Sequence, residues 1–274
     1  MNDVIKTEHI TNPKSLKELN EAYYLILLFD GTASFSIDFI EHTCNGKSLL
    51  FLSPYQLLQW NAHNPPVVDL LRFHGDFYCI EYHKEEVACN GILFNNIYER
   101  PFISVPEVIF QEITAAFYKI KAMENSSQHA DLSIMRSYLQ LILALSSKEK
   151  QIIMAENRVA GHGKNSLASF QNLLEQHFIS SRSVSFYAAH YGLSVNAFSK
   201  QIKKQFSKTP SQLIQERLIL ESKRLLHLTF KSIKEIATEL GFEDGFYFSR
   251  FFKKETGVPP KTFREKVGIS IAAK

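Results

Sequence analysis

Cysteine is scarce: Cys44, Cys79 and Cys89 are the only three in 274 residues, and no pair is spaced C-x-x-C. An odd, widely spaced set indicates neither a disulfide framework nor a zinc–thiolate site, so the chain is expected to work reduced, in the cytoplasm. No run of 18 or more apolar residues is present, so no transmembrane helix and no membrane partner is expected. The most apolar stretch, YYLILLF at 23–29, is too short to span and ends at Asp30, as a buried strand would. Asp3 and Glu8 do not fit the layout of a signal peptide. His42, His63, His74 and His83 are scattered, with no H-x-H. No metal, no cofactor and no catalytic constellation is expected.

A strong charge of one sign is also missing from the whole, which carries a formal net charge of +3. The halves differ. From residue 165 onward there are 17 Lys+Arg against 9 Asp+Glu, a net of +8, whereas residues 1–164 hold 14 against 19, a net of −5. The basic half has the electrostatic footprint of a polyanion binder, and the acidic half must serve another purpose. At this length the chain accommodates two domains.

What is present is a repeat. Residues 184–210 read VSFYAAHYGLSVNAFSKQIKKQFSKTP and residues 233–260 read IKEIATELGFEDGFYFSRFFKKETGVPP. Ala188 and Gly192 match Ala237 and Gly241, offset by 49. Phe198, Ser199, Lys200, Lys203, Lys204 and Pro210 match Phe248, Ser249, Arg250, Lys253, Lys254 and Pro260, offset by 50. The one-residue slip falls in the turn, where an insertion is easiest to absorb. Each copy reads as a helix, a tight turn and a second, basic helix, over 184–206 and 233–256.

The positions have physical roles. A small residue at Ala188 or Ala237 lets the two helices cross closely. Gly192 and Gly241 suit a left-handed helix end, and Ser194 and Asp244 suit N-caps. Phe198 and Ile202, like Phe248 and Phe252, are four residues apart and point inward. By subtraction the outward face holds Asn196, Ser199, Lys200 and Lys203 in the first copy. In the second it holds Gly245, Phe246, Ser249, Arg250 and Lys253. Asn, Lys and Arg pair with base edges in the major groove, and lysines near the helix end suit phosphates. SQLIQERLILESKRLLHLTF at 211–230 suits one long helix that would hold the readers about 34 Å apart, the spacing of successive major grooves.

With these residues in view, the stretch from about 166 to 267 resembles the DNA-binding domain of the AraC/XylS family of bacterial transcription regulators. ERLILESKRLL at 216–226 and GFEDGFYFSRFFKKETGVPPKTFR at 241–264 carry the resemblance. It implies a seven-helix domain with two recognition helices, double-stranded promoter DNA as partner, and RNA polymerase as a further partner if the protein activates. The base-facing residues carried over by position are Asn196, Ser199, Lys200, Gly245, Phe246, Ser249 and Arg250. Three departures stand out: Ser207 where the family has the glycine seen here at Gly257, Ser222 in place of a connector alanine, and Gly245-Phe246 in place of polar residues.

Residues 20–105 read as short aromatic and β-branched strands separated by Gly, Pro and Asn. The segments are YYLILLFDG, ASFSIDFIEHTCNG, KSLLFLSPYQLLQW, VVDLLRFHG and DFYCIEYH. They predict a small antiparallel barrel or jelly roll, and the family resemblance implies a cupin-like barrel that holds a small-molecule effector. Phe29, Phe35, Phe39, Phe51 and Trp60 are candidates to line its pocket. From 107 the period becomes helical, with one stripe at Ile109, Ile113, Phe117 and Ile120 and another at Leu132, Met135, Leu139, Ile142 and Leu145. The second helix, within 131–155, is the candidate homodimer contact. ENRVAGHGKNS at 156–166 reads as a linker.

The expected architecture is therefore α+β in two domains. Residues 1–155 form a cupin-like β-barrel with appended helices, 156–166 a linker, and 167–274 an all-α tandem helix-turn-helix domain. The expected function is a DNA-binding transcription regulator, an activator by family habit. The alternatives are a cupin-type metal enzyme or a DNA-repair protein with a DNA-binding appendage, and a sequence-indifferent nucleoid-type binder.

Overall fold

The computed structural model describes residues 4–11, 18–19, 21–38, 40–61, 66–78, 91–124, 129–160 and 169–267. The chain divides into two compact units, the first formed mainly by Met1–Asn96 with Arg100–Arg158 and the second by Ile97–Glu99 with Val159–Gly268.

The first unit is built on YLILLF. All six residues of β3 (Tyr24–Phe29) are buried, so this strand needs cover on both faces. It lies at the centre of an antiparallel sheet of order β1 (Ile5–Ile10), β8 (Val68–Phe73), β3, β6 (Ser48–Leu52) and β9 (Phe102–Ser104). A second sheet runs β2 (Glu18–Leu19), β7 (Leu58–Trp60), β4 (Ala33–Ile37) and β5 (Ile40–Cys44). Side chains alternate across a strand. Leu25, Leu27 and Phe29 therefore join Phe35, Ile37 and Leu58 of the second sheet in one apolar layer. Ile26 and Leu28 meet Phe117, Ile120, Leu139 and Ile142 in another. The latter come from α1 (Glu107–Met123) and α2 (His129–Ala160), where the two helical stripes were expected.

Several expectations change. Among the described residues no ladder joins the two sheets into a closed barrel. DFYCIEYH begins as a turn at 76–78, with Phe77 and Tyr78 buried beneath it, and its remainder lies outside the described residues. The expected pocket lining does not converge. Phe29 and Phe35 pack edge-on against Trp60, Phe51 faces the helices from the other side of the sheet, and Phe39 lies outside the described residues. The expected linker starts as helix, because α2 continues to Ala160; residues 161–166 lie outside the described residues. Strands β1, β2 and β9 were not anticipated.

Among its described residues the second unit is built of helices and has no strand: α3 (Phe170–His177), α4 (Val184–His190), α5 (Val195–Phe206), α6 (Pro210–Leu228), α7 (Ile233–Glu239), α8 (Gly245–Thr256) and α9 (Pro260–Val267). These are the seven helices the resemblance implies. Their ends are written into the sequence. Thr209 and Gln212 form a capping box ahead of α6, with Pro210 at its first position, and Ser232 and Glu235 form one ahead of α7. Leu213, Ile214, Leu218, Leu225 and Leu226 bury α6 against its neighbours.

Candidate nucleic-acid interface

The repeat in sequence is a repeat in structure. α4 with α5, and α7 with α8, each form a helix pair turning at a left-handed glycine, Gly192 at φ 64° and Gly241 at φ 71°. Ala188 and Ala237 are buried where the paired helices cross. Ser194 Oγ accepts from the Ala197 amide at 3.3 Å, and Asp244 Oδ1 accepts from the Tyr247 amide at 2.6 Å. The second helix of each pair thus begins at the expected residue. Phe198, Ile202, Phe248 and Phe252 are fully buried.

Burial of those four turns the opposite face outward. Asn196, Lys200 and Lys203 are exposed and Ser199 is half-buried; Phe246, Arg250 and Lys253 are exposed, and Gly245 and Ser249 are half-buried. Some cations elsewhere are neutralised, Lys47 by Asp30 and Glu107, and Arg72 by Glu8 and Glu21. Among the described residues Lys200, Lys203, Arg250 and Lys253 make no such ion pair. Four cations without counter-ions, repeated on two equivalent helices, form a surface suited to a polyanion.

Two serines are already bonded within their own helices. Ser249 Oγ donates to the Gly245 carbonyl at 2.7 Å, so its proton is already used and only its lone pairs remain for a partner. Ser222, in the connector, is fully buried and donates to the Leu218 carbonyl at 2.7 Å. That bond satisfies the hydroxyl and explains why α6 tolerates serine there.

A residue not anticipated from the sequence ties the two helix pairs together. Arg182, just before α4, places its guanidinium 4.2 Å over the Phe242 ring and donates from Nη2 to the Leu240 carbonyl at the end of α7. A Cβ built on Gly241 would sit 3.5 Å from that Nη2 and from the Ile179 carbonyl. Gly241 therefore serves both the turn and this close approach. No sequence periodicity marks Arg182; only the isolated cation in SSRS at 180–183 stands out.

Arg217, in the middle of α6, is nearly buried. It stacks 4.1 Å from the Phe178 ring and donates from Nε to Glu175 at 2.8 Å and from Nη1 to Glu221 at 3.3 Å. This cation is structural, whereas Lys200 and Lys203 on α5 and Arg250 and Lys253 on α8 make no ion pair among the described residues. Among the described residues no group of three His, Cys, Asp or Glu gathers into a metal site, and no helix is long and apolar enough to cross a membrane.

Comparison with known proteins finds similarity in the C-terminal half. The family described as "Helix-turn-helix domain" matches residues 187–266. The HTH-type transcriptional activator RhaS of Enterobacter sp. (strain 638) is 28% identical over 145 residues, 53% of this chain and 50% of that protein. The HTH-type transcriptional activator RhaR of Cronobacter sakazakii (strain ATCC BAA-894) is 34% identical over 82 residues, 30% of this chain and 29% of that one. Among solved structures, a Chromobacterium violaceum transcriptional regulator described by its AraC-type DNA-binding domain is 25% identical. It covers 37% of this chain and 90% of its own, with a TM-score of 0.34. The chain spans about half the length of the curated RhaS relatives it matches.

Proposed function

We propose that this chain, which matches the helix-turn-helix domain family and resembles the RhaS activators, is a transcription regulator of the AraC family and a sequence-specific activator bound to promoter DNA. α5 and α8 enter successive major grooves on one face of the duplex, about 34 Å apart. The single observation that carries this reading is the paired set of unneutralised cations. Lys200 with Lys203, and Arg250 with Lys253, stand on equivalent faces whose opposite sides are the buried Phe198/Ile202 and Phe248/Phe252. Asn196, Lys200 and Arg250 are assigned to base edges, and Lys203 and Lys253 to phosphates.

Residues 1–155 are proposed as the controlling domain, with its two sheets as a cupin-like fold that takes a small-molecule effector, and 167–274 as the reader. Homodimerisation is assigned to α2. Its outward side carries Ile134, Leu141 and Ile152, beside Tyr138 and Leu145, which are half-buried against the core. Ile134, Leu141 and Ile152 are each more than 40% exposed. An effector that favours one arrangement of the dimer changes promoter occupancy, and RNA polymerase is then the partner in activation.

The test is genomic footprinting with the purified full chain in competition with random DNA. A regulator keeps a preference of about 10³ or more for its own sites. Equal binding to random sequence would make it a nucleoid-type packer instead.

A further inference from the structure

α8 exposes a bare aromatic ring. Phe246 is 84% exposed, although Phe248 and Phe252 on the same helix are fully buried. Among the described residues no other ring stacks on it. The turn that carries it is fixed from both sides, since Asp244 caps the Tyr247 amide at 2.6 Å and Ser249 holds the Gly245 carbonyl at 2.7 Å. A ring in water contributes nothing to folding, so its value lies in what it meets. Positions 246, 249, 250 and 253 fall on one helical face. Phe246 therefore shares its side with Arg250, one turn on, and Lys253, two turns on. That face calls for a polyanion bearing an apolar spot at the depth of the helix start.

Resting on the reading that α8 lies in a major groove, we propose that Phe246 determines specificity in the second half-site by packing on the 5-methyl group of a thymine. Thymine is the base that presents a methyl group in that groove. Asn196 occupies the equivalent position of α5, offset by 50, and asparagine pairs bidentately with adenine. The two readers thus apply different chemistry at matching positions, a methyl contact in one and an amide pair in the other. This gives the domain a direction along its operator. Gly245 favours the approach, because it adds no side chain beside the ring and even a Cβ there would only reach ordinary contact with Lys234, at 3.8 Å.

The experiment begins with selection of bound duplexes from a random library by the purified full chain, which defines both half-sites. Each thymine of the second half-site is then replaced singly by deoxyuridine, which removes only the methyl group. Affinity is expected to fall about fourfold at one position, the factor that one buried carbon is worth. Phe246→Ala is expected to bind the thymine and uracil duplexes equally at that position and, having lost only an exposed ring, to keep the melting temperature of the parent. Lys253→Ala is expected to weaken both duplexes while leaving their ratio intact. A parent chain indifferent to uracil at every thymine, or a Phe246→Ala variant that keeps the ratio, would overturn the assignment and give the ring to a protein partner or a second copy. A chain that enriches no sequence at all fails differently: it overturns the proposed function, and this assignment with it.

Discussion

Ser207 and Gly257 end α5 and α8 in the same left-handed backbone, at φ 58° and φ 79°, and their amides bond equivalent carbonyls, Lys203 and Lys253, at 2.9 Å each. Glycine adopts this conformation without steric penalty, whereas a side chain is strained there. Ser207→Gly is expected to stabilise the C-terminal unit by about 0.5–1 kcal/mol, less than the full strain because glycine also loosens the unfolded chain. Gly257→Ser should cost a similar amount. Thermal unfolding of both variants checks this, and a Ser207→Gly chain no more stable than its parent would show that Ser207 is unstrained.

Arg182 predicts a different kind of loss. Its bond to the Leu240 carbonyl and its stacking on Phe242 join the start of the first helix pair to the turn of the second. Arg182→Ala should leave all seven helices formed, because Arg182 lies outside them and supplies no rung of their backbone ladders. The two readers would then lose part of their fixed spacing, and with it the effective concentration of the second site. Affinity for a full operator is expected to fall roughly tenfold, the scale of one charged hydrogen bond, with little change for an isolated half-site. Gel-shift titration against both duplexes measures the contrast; equal losses on the two would make Arg182 a local stabiliser only.

Lys203 and Arg250 separate affinity from specificity. Lys203→Ala should weaken binding to every sequence alike and reduce the slope of log affinity against log salt by about one unit. Arg250→Ala should cost about 1–3 kcal/mol on the preferred site and relax the choice at one base pair. Titrations at several salt concentrations on preferred and scrambled duplexes check both. An unchanged slope removes Lys203 from the phosphates, and a uniform loss for Arg250 makes it a backbone contact.

The C-terminal unit was legible because its constraints are local. Gly192, Gly241, Ser194 and Asp244 act on residues within one turn, and Phe198/Ile202 repeat as Phe248/Phe252. A duplicated local pattern leaves little freedom. The N-terminal unit depends on distant pairing. β9 bonds to β6 across about fifty residues, and β1 pairs with β8 over a longer gap. Neither IKTEHI nor FIS carries a signal that names its neighbour. The alternation that places Phe29 and Phe51 in different layers follows from which strands adjoin, so a list of aromatics could not define one pocket. The role of Arg182 is not legible in the sequence for the same reason, since its partners Leu240 and Phe242 lie far along the chain.

The outer side of α2 offers a test of assembly. Leu141 is 43% exposed and central in the stripe from Ile134 to Ile152. A carboxylate there disturbs no buried contact but desolvates badly in a helix-to-helix seam. Leu141→Glu is expected to give a monomer with unchanged helical content and weakened operator binding. Sedimentation velocity reads the first and circular dichroism the second. A variant that sediments like its parent would leave α2 as a purely intramolecular helix.

Glu221 sets an acid limit on the reading domain. Burial pushes its carboxyl up, but the hydrogen bonds and charges of Arg224 and Arg217 outweigh burial and hold it below the ordinary glutamate value of 4.5. Arg224 Nε donates to Glu221 Oε1 at 2.9 Å and Arg217 Nη1 to Oε2 at 3.3 Å. As pH falls, the unfolded chain takes up this proton before the folded one. The group's contribution is therefore complete above 4.5 and declines as pH drops from there through the lowered folded value. Glu221→Gln keeps the shape but removes the charge. It should cost about 1.5 kcal/mol at neutral pH, the scale of a hydrogen bond to a charged group, and flatten the fall in stability below 4.5. Thermal unfolding of both proteins between pH 3 and 7 reads the difference; parallel curves would mean that the Arg217–Glu221–Arg224 cluster is not what destabilises the domain in acid.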